Sequence, residues 1–132
     1  MPAAAINGNL NIYLENSADV TYTKSTDWTI ATATMTSYRN TTTTIPAAVG
    51  AYSIPLTTAF SYTGGGVYVA FEWEHCGAPI AAVTIDCNTD LVSGLRNVRS
   101  TTSCIHGTAM AASSFRPSTS FGTSVPNDAA VT

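Results

Sequence analysis

The chain has 132 residues, the length of one domain, and can bury a core without cross-links. Charged residues make up only 10% of it and the formal net charge is −3, so there is no basic patch for nucleic acid or an anionic membrane surface. No apolar run approaches the roughly 20 residues of a membrane span. Ser and Thr form about a quarter of the chain, which is typical of extracellular all-β modules.

Hydrophobic residues recur at every second position along most of the chain, which predicts strands rather than helices. In the first strand, Leu10, Ile12 and Leu14 alternate with polar residues and give the strand one apolar face. The strands predicted in the first half of the chain are 9–15, 28–36, 39–45 and 51–56, the last with Tyr52, Ile54 and Leu56 on one face. Pro55 indicates an edge strand or a strand end there, because proline donates no ladder hydrogen bond.

The most regular strand follows the glycine turn at 64–66 and covers residues 67–74. Its predicted core face carries Val67, Val69, Phe71 and Trp73, and its other face carries Tyr68, Ala70, Glu72 and Glu74. Further strands are predicted over 80–85, 95–101 and 115–121, with a polar loop over 86–94. Short strands separated by turn residues predict an all-β fold: a two-sheet antiparallel β-sandwich of about eight strands in a jelly-roll-like order.

We expect residues 9–123 to form this β-sandwich domain. Residues 1–8 lack the basic start and apolar stretch of a signal peptide, and are expected to be an N-terminal extension or an expression addition. Residues 124–132 are expected to be a linker toward a following domain. The chain is thus interpreted as one piece of a longer, multidomain protein.

Three sets of short motifs resemble one protein family. The stretch FSYTGGGVYVA at 60–70 resembles the F-x-Y-x-G-G-N-L-x-V-A motif of jelly-roll modules in large secreted and cell-surface proteins of the Bacteroidota. The opening LNIYL at 10–14 with TDW at 26–28, and the ending FRP at 115–117 with FG at 121–122 and NDA at 127–129, are similar to these modules too. Gly66 is a departure, because the family usually has Asn there.

The resemblance implies a cellular context rather than a site. Such modules are accessory units of type IX-secreted adhesins and hydrolases, beside fibronectin-like repeats and a C-terminal sorting domain. They share no catalytic residues, so no site residue is carried over from the family.

Carbohydrate binding needs aromatic rings on an exposed surface with amides or carboxylates beside them. Alternation predicts that Tyr13 and Tyr68 point away from the core, and Trp28 and Tyr38 lie near strand ends where loops display side chains. The candidate ligand-binding residues are Tyr13, Tyr68, Glu72, Glu74, Trp28 and Tyr38. The alternative is that these aromatic rings cover the core or its edges, as most aromatics in β-sandwiches do.

The sequence carries no recognisable catalytic motif. Glu72 and Glu74 lie two apart on one strand, about 6.5–7 Å along it, which falls between the carboxyl separations of retaining and inverting glycosidases. A solvated strand face is the preferred interpretation, and we expect no enzymatic activity.

A calcium site is the metal hypothesis that the sequence supports. Asp86, Asn88 and Asp90 form a D-x-N-x-D pattern with oxygen ligands at alternate positions, as in calcium loops. The pattern then departs, because Leu91 stands where the turn glycine belongs and Asn97 where the bidentate glutamate belongs. A structural calcium ion and a polar hairpin loop both fit these residues, and no other cofactor is expected.

The three cysteines are Cys76, Cys87 and Cys104. Successive strands carry the chain to the opposite end of the sandwich and back, so Cys76 and Cys104 are expected at the same end and Cys87 at the other. A Cys76–Cys104 disulfide is predicted; it would close a loop of about 27 residues and contribute roughly 3–4 kcal/mol. Three free thiols are the alternative.

These observations favour a non-catalytic extracellular binding or adhesion module, secreted or at the cell surface, whose ligand is a glycan or another surface polymer. Its other partners would be neighbouring domains of the same chain, with no nucleic acid and no insertion into a membrane. The alternative function is a structural spacer of a surface protein without a ligand of its own.

Overall fold

The computed structural model describes residues 6–48, 50–76, 87–90, 95–100 and 105–122. Almost all regular structure in these residues is β, as the alternation predicts, with one short helix. The elements are β1 Ile6–Ser17, α1 Trp28–Thr32, β2 Thr36–Ile45, β3 Gly66–Glu74, β4 Cys87–Asn88, β5 Leu95–Asn97, β6 Ala111–Ser113 and β7 Arg116–Pro117.

The main sheet has three antiparallel strands in the order β2-β1-β3, so the most apolar strand is central. Leu10 of β1 lies opposite Thr41 of β2 and Trp73 of β3. Two smaller antiparallel pairings, β4 with β7 and β5 with β6, lie outside this sheet. The described strands thus establish a β-rich fold, whereas the two-sheet jelly-roll order stays a prediction.

The core lies on one face of the main sheet. Leu10, Ile12 and Leu14 are 7%, 5% and 2% exposed, which confirms the predicted apolar face of the first strand. The partly buried residues packed against them are Tyr38, Ile54, Leu56, Phe60, Val67, Val69 and Trp73. Phe71 lies opposite Ile12 on the core face, as predicted, but it is 41% exposed and Tyr52 is 47% exposed, so neither ring is buried.

The predicted strand over 28–36 is wrong, because α1 begins at Trp28. The Asp27 carboxylate accepts a hydrogen bond of 3.1 Å from the Ile30 N–H, which caps the helix N-terminus. The Thr32 hydroxyl donates to the Trp28 carbonyl at 2.8 Å within the same turn. Local capping therefore outweighs the β-propensity of the threonines, and the next strand begins only at Thr36.

The predicted edge strand over 51–56 is not a strand in the structure, although it runs beside β2. The Tyr52 hydroxyl donates to the Thr44 carbonyl at 2.5 Å, and the Thr57 N–H donates to the Tyr38 carbonyl at 2.9 Å. Between these anchors Pro55 has no N–H, and its carbonyl instead accepts from the Arg39 guanidinium at 2.8 Å. Individual hydrogen bonds of Tyr52, Thr57 and Arg39 therefore hold this segment beside β2 in place of a regular β-ladder.

The later predicted strands are shorter or lie outside the described residues. The strand predicted over 95–101 is reduced to β5, and only β7 forms within 115–121. The strand predicted over 80–85 lies outside the described residues. Among the helices of the described segments, none has the length and apolar character needed to cross a membrane.

Residues 105–110, here named the strap, lie beside α1. The Trp28 N–H donates to the Thr108 carbonyl at 2.7 Å, and the Met110 N–H donates to the Thr26 carbonyl at 2.8 Å. An antiparallel bridge between Asp27 and Ala109 completes the contact. The strap and α1 are therefore joined by backbone hydrogen bonds, and both contact the face of the main sheet opposite the core.

Candidate functional site

The face of the main sheet opposite the core is named the polar face. Register and alternation assign its side chains. They are Asn7, Asn9, Asn11, Tyr13 and Glu15 on β1, Ser37, Asn40, Thr42 and Thr44 on β2, and Tyr68, Ala70, Glu72 and Glu74 on β3. Five of the six predicted ligand-binding residues either belong to this face or lie directly on it at α1: Tyr13, Tyr68, Glu72, Glu74 and Trp28.

Hydrogen bonds on the polar face converge on the Glu72 carboxylate. The Ser37 hydroxyl donates to Asn11 Oδ1 at 2.5 Å, and Asn11 Nδ2 donates to the Tyr13 hydroxyl at 2.8 Å. The Tyr13 hydroxyl in turn donates to Glu72 Oε1 at 3.3 Å. Burial and the neighbouring Glu72 carboxylate together raise the pKa of Tyr13, so this hydroxyl keeps its proton as a donor.

His106 of the strap binds the other oxygen of the same carboxylate. Its Nε2 lies 2.7 Å from Glu72 Oε2, and its Nδ1 lies 2.6 Å from the Gly107 carbonyl. Both partners are acceptors, so only the doubly protonated ring donates to both. Burial lowers the pKa of His106, but the hydrogen bonds to Gly107 and Glu72 and the charges of Glu72 and Glu74 outweigh it, and the pKa lies above its usual value of 6.5.

Aromatic contacts close this part of the polar face. Trp28 packs edge-on against Tyr13 with ring centroids 5.9 Å apart, and edge-on against His106 at 5.3 Å. The side chains of His106 and Glu72 are only 16% and 18% exposed. The structure therefore brings Tyr13, Trp28 and Glu72 together, with Trp28 of α1 and the strap covering Tyr13 and Glu72.

The other end of the polar face is open, and we name Asn7, Asn9, Asn40, Thr42 and Thr44 the open strip. Asn9 Nδ2 donates to Asn40 Oδ1 at 2.7 Å, and the Thr44 hydroxyl donates to Asn7 Oδ1 at 2.5 Å. Four of its five residues are exposed and Asn9 is half-buried. In the segments that the structure describes, Nδ2 of Asn7, Nδ2 of Asn40 and the Thr42 hydroxyl make no hydrogen bond, so they are available to a ligand.

The open strip was missed in the sequence reasoning, which looked for aromatic rings. Its signal is the alternation Asn7-x-Asn9-x-Asn11 on one strand and Asn40-x-Thr42-x-Thr44 on another. Only the antiparallel register, with Asn9 opposite Thr42 and Asn11 opposite Asn40, makes the two patterns one surface.

Glu74 borders the open strip on the β3 side, opposite Asn9. It is half-buried, and within the described part of the chain its carboxylate makes no ion pair or hydrogen bond. Its charge helps to raise the pKa of Tyr13, after burial and Glu72. It also helps to raise the pKa of His106, where burial acts in the opposite direction and the contacts with Gly107 and Glu72 come before it. The polar face carries three glutamates and no Lys or Arg of its own strands. Lys24 pairs with Glu15 and His106 with Glu72, so Glu74 is the carboxylate of the face without an ion pair among the described residues.

Tyr68 holds the loop 18–27 instead of facing solvent. Its hydroxyl donates to Asp19 Oδ2 at 2.6 Å and accepts from the Thr23 N–H at 3.1 Å. Lys24 lies over the Tyr68 ring, 5.2 Å from its centroid, and forms a 2.5 Å ion pair with Glu15. Hydrogen bonds from Thr23 and Tyr68 lower the pKa of Asp19. The contacts of Tyr68 are those of a structural residue.

Lys24 also joins β1 to the end of α1. Its Nζ donates to the Ala31 carbonyl at 3.1 Å and to the Thr34 hydroxyl at 2.9 Å. With the Glu15 contact, this lysine connects three parts of the chain while only 15% of its side chain is exposed.

Tyr38 lies on the core side, apart from the other candidate residues. The register shifts between Ile12 and Tyr13, whose partners are Arg39 and Ser37, so Tyr38 is the extra residue of a β-bulge. Its ring packs edge-on against Phe60, with centroids 5.2 Å apart, and against the buried core. The bulge therefore places Tyr38, which was predicted to be exposed near a strand end, against the core.

The predicted calcium ligands fall only partly within the described residues. Asp86 lies outside them, the side chain of Asn88 is not described, and Asp90 is exposed beyond β4. No three His, Cys, Asp or Glu side chains of the described segments are grouped closely enough to hold a metal ion. The calcium loop therefore stays a prediction.

Cys76 forms a disulfide bond, and Cys104 lies outside the described residues. We expect peptide mapping of the unreduced protein to recover a cross-linked pair that contains Cys76 and Cys104. Recovery of a cross-link between Cys76 and Cys87 would contradict this pairing, and mapping after reduction identifies the peptides.

No protein-family model matches the chain, and no curated protein or solved structure does either. The likeness to exported jelly-roll modules of the Bacteroidota therefore stays a prediction from short motifs. The chemistry of the polar face is therefore the basis for inferring a function.

Proposed function

We propose that this chain is a non-catalytic extracellular binding module that takes a glycan on its polar face. The observation that carries the proposal is the open strip, where Nδ2 of Asn7, Nδ2 of Asn40 and the Thr42 hydroxyl make no hydrogen bond to the described residues and stand in a regular array. Side chains two apart on a strand are about 6.5–7 Å apart, and neighbouring strands about 4.8 Å. Such a flat array suits the repeated hydroxyl groups of an extended sugar chain.

The charges of the polar face favour an uncharged glycan. Glu72 and Glu74 are on this face; His106 pairs with Glu72, but no cation of the described residues pairs with Glu74, whose charge would repel an anionic polysaccharide. Tyr13 and Trp28 stand at the covered end of the array, where an aromatic ring stacks on a sugar once the cover moves. The proposed ligand is therefore a neutral linear polysaccharide.

The strand-rich fold and the hydroxyl-rich, weakly charged composition support the wider proposal of an exported module with a jelly-roll sandwich. A spacer without a ligand is the second candidate. Contacts within the protein favour this candidate. Tyr13, Trp28 and Tyr68 all bind other residues of the chain, and rings held in this way are not displayed for stacking on a sugar.

Thr41 and Thr42 offer a matched test, because they are exposed neighbours on opposite faces of β2. We expect Thr42→Ala to weaken binding of a neutral oligosaccharide by about 3- to 10-fold, the effect of one neutral hydrogen bond, and Thr41→Ala to leave it unchanged. A glycan array at millimolar concentration identifies the sugar, and calorimetry measures the affinities of the two variants.

Two results would contradict the proposal. Absence of binding to every glycan at millimolar concentration would favour the spacer. Equal weakening by both substitutions would place any binding site away from the open strip.

A further inference from the structure

The strap is attached to the rest of the molecule in two ways. Backbone hydrogen bonds join it to α1 and the residues before it, and the Asp27 carboxylate also accepts a hydrogen bond from the Thr108 side chain. Among the side chains of the strap, His106 contacts the main sheet, and its imidazole lies between Glu72 and Trp28. His106 therefore fastens the strap over Tyr13 and Glu72.

The strength of this contact depends on the charge of the imidazole ring. A neutral ring has one N–H, and the two nitrogens of His106 lie 2.6 Å and 2.7 Å from two oxygen acceptors. Loss of the proton at Nε2 places a lone pair against the Glu72 carboxylate, and loss at Nδ1 places one against the Gly107 carbonyl. Either way one hydrogen bond is lost, together with the attraction between the imidazolium and the carboxylate.

We propose that the protonation of His106 controls how firmly the strap covers the polar face, so that the face is held covered at low pH and opens as pH rises. The ionisable groups that face or adjoin this contact are Glu72 and Glu74 on β3, Tyr13 on β1 and Asp27 before α1. The link to ligand access rests on the proposed function, whereas the motion of the strap is measured without any ligand.

The direction of the pH dependence follows from the raised pKa of His106 in the folded chain. The contact contributes fully below the unfolded-state value of 6.5, and its contribution is lost as pH rises through the higher folded-state pKa. Opening of the strap is therefore expected as pH rises above 6.5.

Amide hydrogen exchange of the intact chain tests the proposal at two reporter positions. The Met110 and Trp28 N–H groups make the hydrogen bonds between the strap and the α1 region. After correction for intrinsic exchange, we expect their protection factors to fall about 5- to 10-fold between pH 6 and pH 8.5. The amide of Ile12 in the central strand reports global unfolding and is expected to change less than 2-fold.

His106→Gln and His75→Gln are the matched variants. Glutamine at position 106 supplies a neutral donor, so the reporter amides are expected to lose their pH dependence. His75 is the other histidine of the chain and its ring contacts the Asn7 carbonyl on β1, so His75→Gln is expected to keep the pH response. A pH response that survives in His106→Gln, or protection that is flat in the unmodified chain, would overturn the proposal. Failure to bind glycans would refute only the proposed function and leave the exchange result standing.

Discussion

Truncation of Leu14 to alanine is expected to lower the free energy of unfolding by about 3 kcal/mol, within the usual range for a fully buried leucine. Leu14 is 2% exposed and is the most buried large side chain of the described core. It lies in the central strand opposite Val69, so strands on both sides limit how far the cavity can collapse. Urea denaturation at fixed pH measures the change.

The control for this substitution is Val20→Ala. Val20 is 92% exposed in the loop after β1, so loss of its methyl groups is expected to change stability by less than about 0.5 kcal/mol. A cost for Leu14→Ala as small as that of Val20→Ala would contradict the placement of the core on this face of β1.

The second large effect is expected at Gly8, where a side chain has no room. A Cβ at this position would lie 2.5 Å from Trp73 Cζ2 and 2.6 Å from the Glu74 carbonyl oxygen. Gly8→Ala therefore forces the indole and the β3 backbone to move, at a cost of about 1–3 kcal/mol. Alanine in a strand is otherwise more stable than glycine, so a loss of stability in Gly8→Ala would indicate the steric clash with Trp73 and β3.

Gly122→Ala is the matched control, because no atom of the described residues lies within 4 Å of a Cβ at that glycine. We expect it to be neutral or slightly stabilising in the same denaturation experiment. If Gly8→Ala were as mild as Gly122→Ala, the indole of Trp73 would not lie over β1 as described.

The sequence pattern predicted β1 and β3 of the main sheet well and the segments outside them poorly. Alternation identifies β1 and β3 because each buries one face, which keeps their apolar residues at every second position. It fails at 28–36, where the Asp27 cap starts a helix, and at 51–56, where Pro55 prevents a ladder. Both failures come from local hydrogen bonding, which hydrophobic periodicity does not register.

The candidate site was predicted in part. Tyr13, Trp28 and Glu72 do meet, but His106, 34 residues from Glu72 along the chain, was not anticipated because only the fold brings it there. Tyr38 was misplaced because a single extra residue in β2 reverses which face a side chain joins. The open strip was missed because its two halves become one surface only through the β1–β2 register.

The position of Lys24 gives the molecule a built-in chemical reporter. It is the only lysine in the sequence, and its amine is held by Glu15, Ala31 and Thr34. An acylating reagent reacts with this amine only after the amine has left its three oxygen partners. The rate of ε-amine acylation therefore reports how often the α1 region separates from β1, without an engineered label.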